Sequence, residues 1–285
     1  MAAEVAAEAA AVQTVVSTDL PTDPVDLVAF TVSKAGEAEL VRDLLQQGHE
    51  RLEIGGRLVA ASDHPRDQWL HTELRKLFPK VTRRPMETGV VYLATKREPL
   101  KKLKNFACEF SVHDRGHDVR LRTRPGVFSH RELDGGARAL IEAMEVDDAA
   151  AILDIGCGCG VVGLVAATRN PNATVHAFDA NVRAVEATNW GAAANQLPQV
   201  QAVLNADGSV GGTDEFDVAL ANPPYYSNER IAEIFVHTAA QTLKPGGVLW
   251  LVTKRHEWYA EQLPALFAEV EMEQLRSYVI VRAVK

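Results

Sequence analysis

The sequence lacks any run of 18 or more apolar residues, so nothing in it reads as a membrane span. Its start, Met1 to Val16, is alanine-rich and carries Glu4 and Glu8, where a secretory leader would carry basic residues and then a continuous apolar stretch. The expected compartment is therefore the cytoplasm. Cysteine is scarce: of three, Cys157 and Cys159 stand too close for ordinary disulfide geometry and Cys108 stands alone. No set of Cys and His at ligand spacing is present, so a metal centre is not expected. Positive charge is also in deficit overall. A formal net charge of −8 argues against a protein that coats nucleic acid without discrimination.

What basic charge there is clusters. Between Lys96 and Arg131 ten Lys or Arg face four acids. The strip reads either as a solvated linker or as an RNA-facing surface beside an acidic body. Lys101, Lys102 and Lys104 lie within it.

Residues 1–22 are expected to form a disordered tail ending in the Pro21 to Pro24 turn region. Apolar patterning then predicts strands over Asp26 to Val32, Arg57 to Ala61 and Gly89 to Thr95, with a helix over Gly36 to Gln47. The second half alternates for longer. Helices are predicted over 131–144, 161–169, 182–195 and 230–243, and strands over 150–155, 174–178, 200–205, 216–221, 248–253 and 278–283. This βαβα pattern predicts an α/β fold, a mostly parallel, Rossmann-like sheet with helices on both faces.

The two halves share a pattern. At an offset of 191 residues Asp26 falls on Asp217, Leu52 on Leu243, and Gly55, Gly56 and Leu58 on Gly246, Gly247 and Leu249. A two-residue gap then brings Lys96 onto Lys285. Residues 23–96 thus read as a partial repeat of the last part of the chain, 97–126 as a basic linker and lead-in, and 127–285 as the domain that carries the chemistry. The copy has no glycine-rich loop. Opposite Asn222-Pro223-Pro224-Tyr225 it carries Thr31-Val32-Ser33-Lys34.

The strongest local signal is Asp154-Ile155-Gly156-Cys157-Gly158-Cys159-Gly160, between a predicted strand and a predicted helix. Glycines at alternate positions permit a tight turn and bring a ligand against the backbone, while the helix behind presents unpaired N–H groups. Asp179, just past the next strand, can accept both hydroxyls of a ribose. Gly158, Gly160 and Gly163 also satisfy the dinucleotide pattern, a weak signal by itself, and a turn without any ligand is a further alternative. Asp154 argues against a pyrophosphate and for a cofactor with amino and sulfonium charges. The second signal, Asn222-Pro223-Pro224-Tyr225, follows a predicted strand at the carboxyl edge where such sheets bind ligands. Two prolines hold the backbone extended. The Asn222 side-chain oxygen and the Pro223 carbonyl can then accept both hydrogens of one amino group, and Tyr225 offers a stacking face. His130, His237 and His256 need no part in such chemistry.

The two signals together resemble class I S-adenosylmethionine methyltransferases of the amino-group type. More narrowly, Arg124-Pro125-Gly126-Val127-Phe128-Ser129 and Leu133-Asp134-Gly135-Gly136 resemble the lead-in of the bacterial 16S ribosomal-RNA guanine-N2 methyltransferases. The resemblance covers roughly Phe106 to Lys285. It implies S-adenosylmethionine as cofactor, with Gly156, Gly158 and Gly160 at its methionine end, Asp179 at the ribose and Asp207 at the adenine. Phe128 and Ser129 would stand near the methyl-transfer centre, Phe128 and Arg124 would bind the substrate, and Tyr225 or Tyr226 would receive the base. Ribosomal RNA or the small ribosomal subunit would be the partner. Those relatives also carry a duplicated N-terminal domain without a cofactor site, which here is truncated. A protein glutamine amide, an adenine N6 target, and an idle RNA-binding assembly factor are the competing readings.

Overall fold

The computed structural model describes residues 13–33, 36–148, 150–210, 212–224 and 229–285. The chain divides into two units, Met1–Phe106 and Ala107–Lys285, each with its own sheet.

In the first unit β1 (Val25–Val32), β2 (Leu52–Ser62), β3 (Val81–Pro85) and β4 (Val90–Thr95) form a sheet of order β1-β2-β4-β3. The helices α1 (Ala38–Arg51) and α2 (Trp69–Leu77) supply Leu45, Leu70 and Leu74 to a core shared with Leu58, Phe78 and Tyr92. Two of these elements, α2 and β3, were not expected. β3 has one apolar residue, Val81, and its positions are mostly exposed, so no alternation marks it. Residues 13–22 form neither helix nor strand. Yet Leu20 donates its backbone N–H to the Gln47 side chain, which ties the end of the expected tail to α1.

The second unit opens with a hairpin, β5 (Cys108–Asp114) and β6 (His117–Thr123), inside the segment expected to be linker. Arg115 and Gly116, both at positive φ, make its two-residue turn. Val112, Val119 and Leu121 point into the core, while Arg120 and Arg122 alternate outward. The charged residues conceal that period of two. The helix α3 (Gly135–Ala143) follows, and then the main run: β7 (Ala151–Ile155), α4 (Val161–Arg169), β8 (Thr174–Asp179), α5 (Val182–Ala194), β9 (Val200–Leu204), β10 (Phe216–Ala221), α6 (Arg230–Thr242), β11 (Leu243–Thr253), α7 (Glu257–Gln262), β12 (Glu269–Leu275) and β13 (Tyr278–Val284). The sheet order is β12-β13-β11-β10-β7-β8-β9, with β13 antiparallel to both its neighbours and the rest parallel. This is the expected doubly covered α/β sheet. Alternate residues of each strand enter opposite cores. Ile152, Val175, Leu220 and Val252 pack with α3, α4 and the hairpin, while Leu153, Phe178, Ala219 and Leu251 pack with α6 and α7. β12 was missed, although Val270, Met272 and the glutamates between them alternate as an edge strand should.

Four strands of each sheet can be set side by side. β1-β2-β4-β3 has the order of β10-β11-β13-β12. Val25 pairs with Leu52 and Leu27 with Arg57 across a shifted register, as Phe216 pairs with Leu243 and Val218 with Val248. The bends fall at Gly55 (φ 94°) and Gly246 (φ 81°). Gly55 donates to the Lys96 carbonyl at 2.9 Å, and Gly246 to that of Lys285 at 2.8 Å. The Lys96 side chain is buried and donates to the carbonyls of Glu50 and Leu52 at the end of α1. It is therefore not part of a basic surface. The strip itself is divided, with Lys101, Lys102 and Lys104 in the first unit and Arg115 to Arg131 in the second.

Candidate functional site

The carboxyl ends of β7, β8 and β10 open on one cleft of about 380 Å³. It is lined by Gly156 and Gly158 after β7, Asp179 to Asn181 after β8, and Asn222 and Pro224 after β10. Phe128 and the α6 residues Ile231, Ile234 and Phe235 form apolar walls.

The glycine loop owes its path to several close approaches. Gly156, Gly158 and Gly160 all have positive φ, at 69°, 57° and 79°. A Cβ on Gly156 would stand 2.4 Å from the Phe235 ring. On Gly160 it would stand 2.7 Å from the Thr188 hydroxyl. On Gly158 it would meet open space. So Gly156 and Gly158 face the cleft, whereas Gly160 is the N-cap of α4 and packs on α5 outside it.

Asp179 joins two loops. One carboxylate oxygen accepts from the Gly158 N–H at 2.9 Å, the other from the Asn181 N–H at 2.8 Å. Burial raises its pKa, opposed by these backbone donors. Asn181 in turn accepts from Arg183 N to cap α5 and donates its amide to the Gly126 carbonyl. Arg183 donates to the Pro125 carbonyl at 2.7 Å. These bonds pin the lead-in loop that carries Phe128, which remains 53% exposed beside the cleft. Asn181 was missed by sequence reasoning, although an Asn just before a helical run is a capping signal.

Several expected site residues lie elsewhere. Asp154 is buried beneath the loop rather than in the cleft wall, and it accepts from the Gly163 N–H at 3.0 Å. Burial pushes its pKa up to about 7, with the nearby Asp179 charge adding to the rise. Asp207 is turned away, because it accepts from the backbone and hydroxyl of Ser209, which hold its carboxyl below the usual range. Asn205 and Ala206 line the cleft in its place. Asn205 closes this turn by accepting from the N–H groups of Asp207 and Gly208. Arg124 lies by Glu186, 3.6 Å away, in a small pocket with Arg122, Arg183 and Trp190. Pro223 is buried, and Tyr225 and Tyr226 lie outside the described residues.

Asn222 occupies the cleft wall as expected. Its side-chain amide donates to Asp134 at 3.0 Å. An amide acceptor, a carboxylate ready for hydroxyls, a bare glycine backbone and apolar walls form a site suited to a nucleoside-sized ligand. Among the described residues no helix is long and apolar enough to cross a membrane, and no cluster is arranged to hold a metal ion.

Comparison with known proteins gives concordant matches. The family model of the methyltransferase small domain matches residues 118–282. A Bacillus subtilis protein, YbxB, is 34% identical over 183 residues, 62% of this chain and 90% of its own. The ribosomal RNA small subunit methyltransferase C of Hahella chejuensis is 34% identical over 52% of this chain and 44% of its own. The ribosomal RNA large subunit methyltransferase G of Pectobacterium atrosepticum is 29% identical over 76% of this chain and 60% of its own. The chain thus spans about half the length of these two named methyltransferases. Among solved structures, a T. thermophilus 16S rRNA N2 methyltransferase (RsmC) in complex with AdoMet and guanosine superposes with a TM-score of 0.82. It is 26% identical, and the match covers 93% of this chain and 74% of that one.

Proposed function

The chain belongs to the methyltransferase small domain family, and from that premise we propose that it transfers a methyl group from S-adenosylmethionine to an exocyclic amino nitrogen of a nucleobase in ribosomal RNA, with guanine N2 as the target. The observation that carries this reading is the meeting of Gly156, Gly158, Asp179 and Asn222 around one cleft. The T. thermophilus relative, bound to AdoMet and guanosine, supports it.

The residues present fit the cofactor. Open space stands where a Gly158 side chain would be, and Asp179 is held by Gly158 and Asn181 with lone pairs left for a ribose. When bound, S-adenosylmethionine supplies a reactive methyl group on a sulfonium sulfur. Asn205 and Ala206 would flank the adenine, and Asp154 would hold the start of α4 from beneath the loop through the bond from the Gly163 N–H.

The chain's own work is alignment and desolvation. A guanine amino group is a poor nucleophile because its lone pair is delocalised into the ring. Asn222 Oδ1 and the Pro223 carbonyl would accept its two hydrogens, draw the nitrogen toward tetrahedral geometry and hold it in line for transfer. The apolar walls of Phe128, Ile231, Ile234 and Phe235 keep water from the reacting atoms. No side chain need take the proton before the new bond forms. A base drawn from a helix must be extruded, and exposed Phe128 offers it a stacking surface. The first unit, in this reading, is a partial copy that takes no cofactor.

The test is incubation with tritiated S-adenosylmethionine and undermethylated ribosomal subunits, naked ribosomal RNA or cell protein, followed by nucleoside and amino-acid analysis. N2-methylguanosine in RNA is expected, with calorimetry saturating at one cofactor per chain. Label in N6-methyladenosine or in methylglutamine would redirect the assignment, and no label anywhere would overturn it.

A further inference from the structure

The Asn222 amide has two ends, and only one of them can accept a hydrogen bond from an amine. Its orientation is set from outside the cleft. Asp134 is the N-cap of α3, and its Oδ2 accepts from the Ala137 N–H at 2.9 Å. The same oxygen accepts from Asn222 Nδ2 at 3.0 Å. An ionised carboxylate only accepts, so a reversed amide would lose this bond and set oxygen against oxygen. With Nδ2 committed to Asp134, Oδ1 is the end left for a ligand. The helix behind Asp134 is itself fixed, since Ala137, Leu140 and Ile141 of α3 are buried in the core. Residues 88 positions apart are thereby held in one arrangement.

We propose that Asp134 is a positioning residue that fixes the polarity of Asn222, so that the cleft selects a hydrogen-donating amino group over a keto oxygen or a bare ring carbon at the same place. This rests on the methyl-transfer reading above. The backbone fixes the Pro223 carbonyl as an acceptor, and the helix cap fixes Asn222 to match it. A cap that also tethers Asn222 links the folding of α3 to the chemistry of β10.

The test separates the two tasks of Asp134. Asp134→Ser keeps a hydroxyl to cap α3 but is too short to hold Asn222 as well. It should melt close to wild type and bind S-adenosylmethionine within about twofold, yet its single-turnover rate should fall about tenfold. The preference for guanosine over inosine, which lacks the 2-amino group, should fall by a similar factor in calorimetry. Asp134→Asn should recover most of the rate, because its amide oxygen can serve Ala137 and Asn222 together. Asp134→Ser combined with Asn222→Ala should be no slower than Asn222→Ala alone. A folded Asp134→Ser with wild-type rate and preference would overturn the proposal, as would a full additional loss in the double variant. If wild type methylates no RNA, the functional reading falls, while the guanosine and inosine titrations still judge Asp134.

Discussion

Strand β10 lies between β11 and β7, whereas among the described residues its counterpart β1 pairs with β2 alone. Otherwise the first sheet and the far half of the second follow one plan, down to the shifted register and the glycine bend. The consequences sit at the missing neighbour. β7 brings the glycine loop to the carboxyl end of β10, and Asp217 of β10 accepts from the Ala151 N–H that starts β7. At the end of β1, Thr31, Val32 and Ser33 follow the same path with no Asn-Pro-Pro and, among the described residues, no glycine loop beside them. A strand end supplies direction. The adjoining strand supplies the loop that lines the cleft.

The sharpest way to break this comparison is to make matched substitutions. Asn222→Ala should slow single-turnover methylation about 100-fold, as loss of one pre-organised polar partner does, while the fold survives. Thr31→Ala, at the matching position, should leave the rate within about twofold. Equal effects at the two positions would end the distinction, and a wild-type rate for folded Asn222→Ala would remove amine recognition from this motif.

A smaller effect concerns Asp154, which has no counterpart in the first unit. Its pKa in the folded chain is raised from 3.8 to about 7, chiefly by burial. Between those values the folded state binds more protons than the unfolded one, so stability falls as pH rises through that window, by up to roughly 4 kcal/mol in all. Asp154→Asn keeps an acceptor for Gly163 and has no such slope. Its melting temperature should match wild type near the acid end and exceed it by several degrees at about pH 8. Parallel pH curves for the two proteins would contradict the buried, protonated carboxyl. Weaker cofactor binding by the variant would show that the cost is kept for function.

The smallest effect tests the shared plan itself. Gly55→Ala and Gly246→Ala each place a side chain at positive φ in open space. Each should therefore cost about 1 kcal/mol, from backbone conformation alone. Denaturant titration giving clearly unequal losses would show that the two bends are not equivalent.

Much of this was legible in the residues. Gly156 and Gly158 announce a close backbone approach, Asp179 follows the next strand, and Asn222-Pro223-Pro224 ends a third. The strand order and glycine bend common to the two sheets follow matched Asp, Leu, Gly and Lys positions. The hairpin β5–β6 was hidden because its outward residues are arginines and acids that read as linker. Asp207 does not line the cleft, for a local reason. Its carboxylate is satisfied by Ser209 two residues on, a choice made inside the turn and not by the ligand. Gly160 belongs to the loop in sequence, but its glycine answers Thr188 of α5.

The sequence by itself determined the local terms: which segments become strands and helices, where a glycine turn forms, and which strand end carries an amide. Periodicity and turn chemistry act between near neighbours and leave a mark that can be read along the chain. Only the tertiary structure decided that Asp134 holds Asn222 and that Phe235 stands over Gly156. Both join residues far apart along the chain, brought together by the order of strands in a sheet. No short-range pattern encodes either, because many partners of the same chemistry compete and packing selects among them.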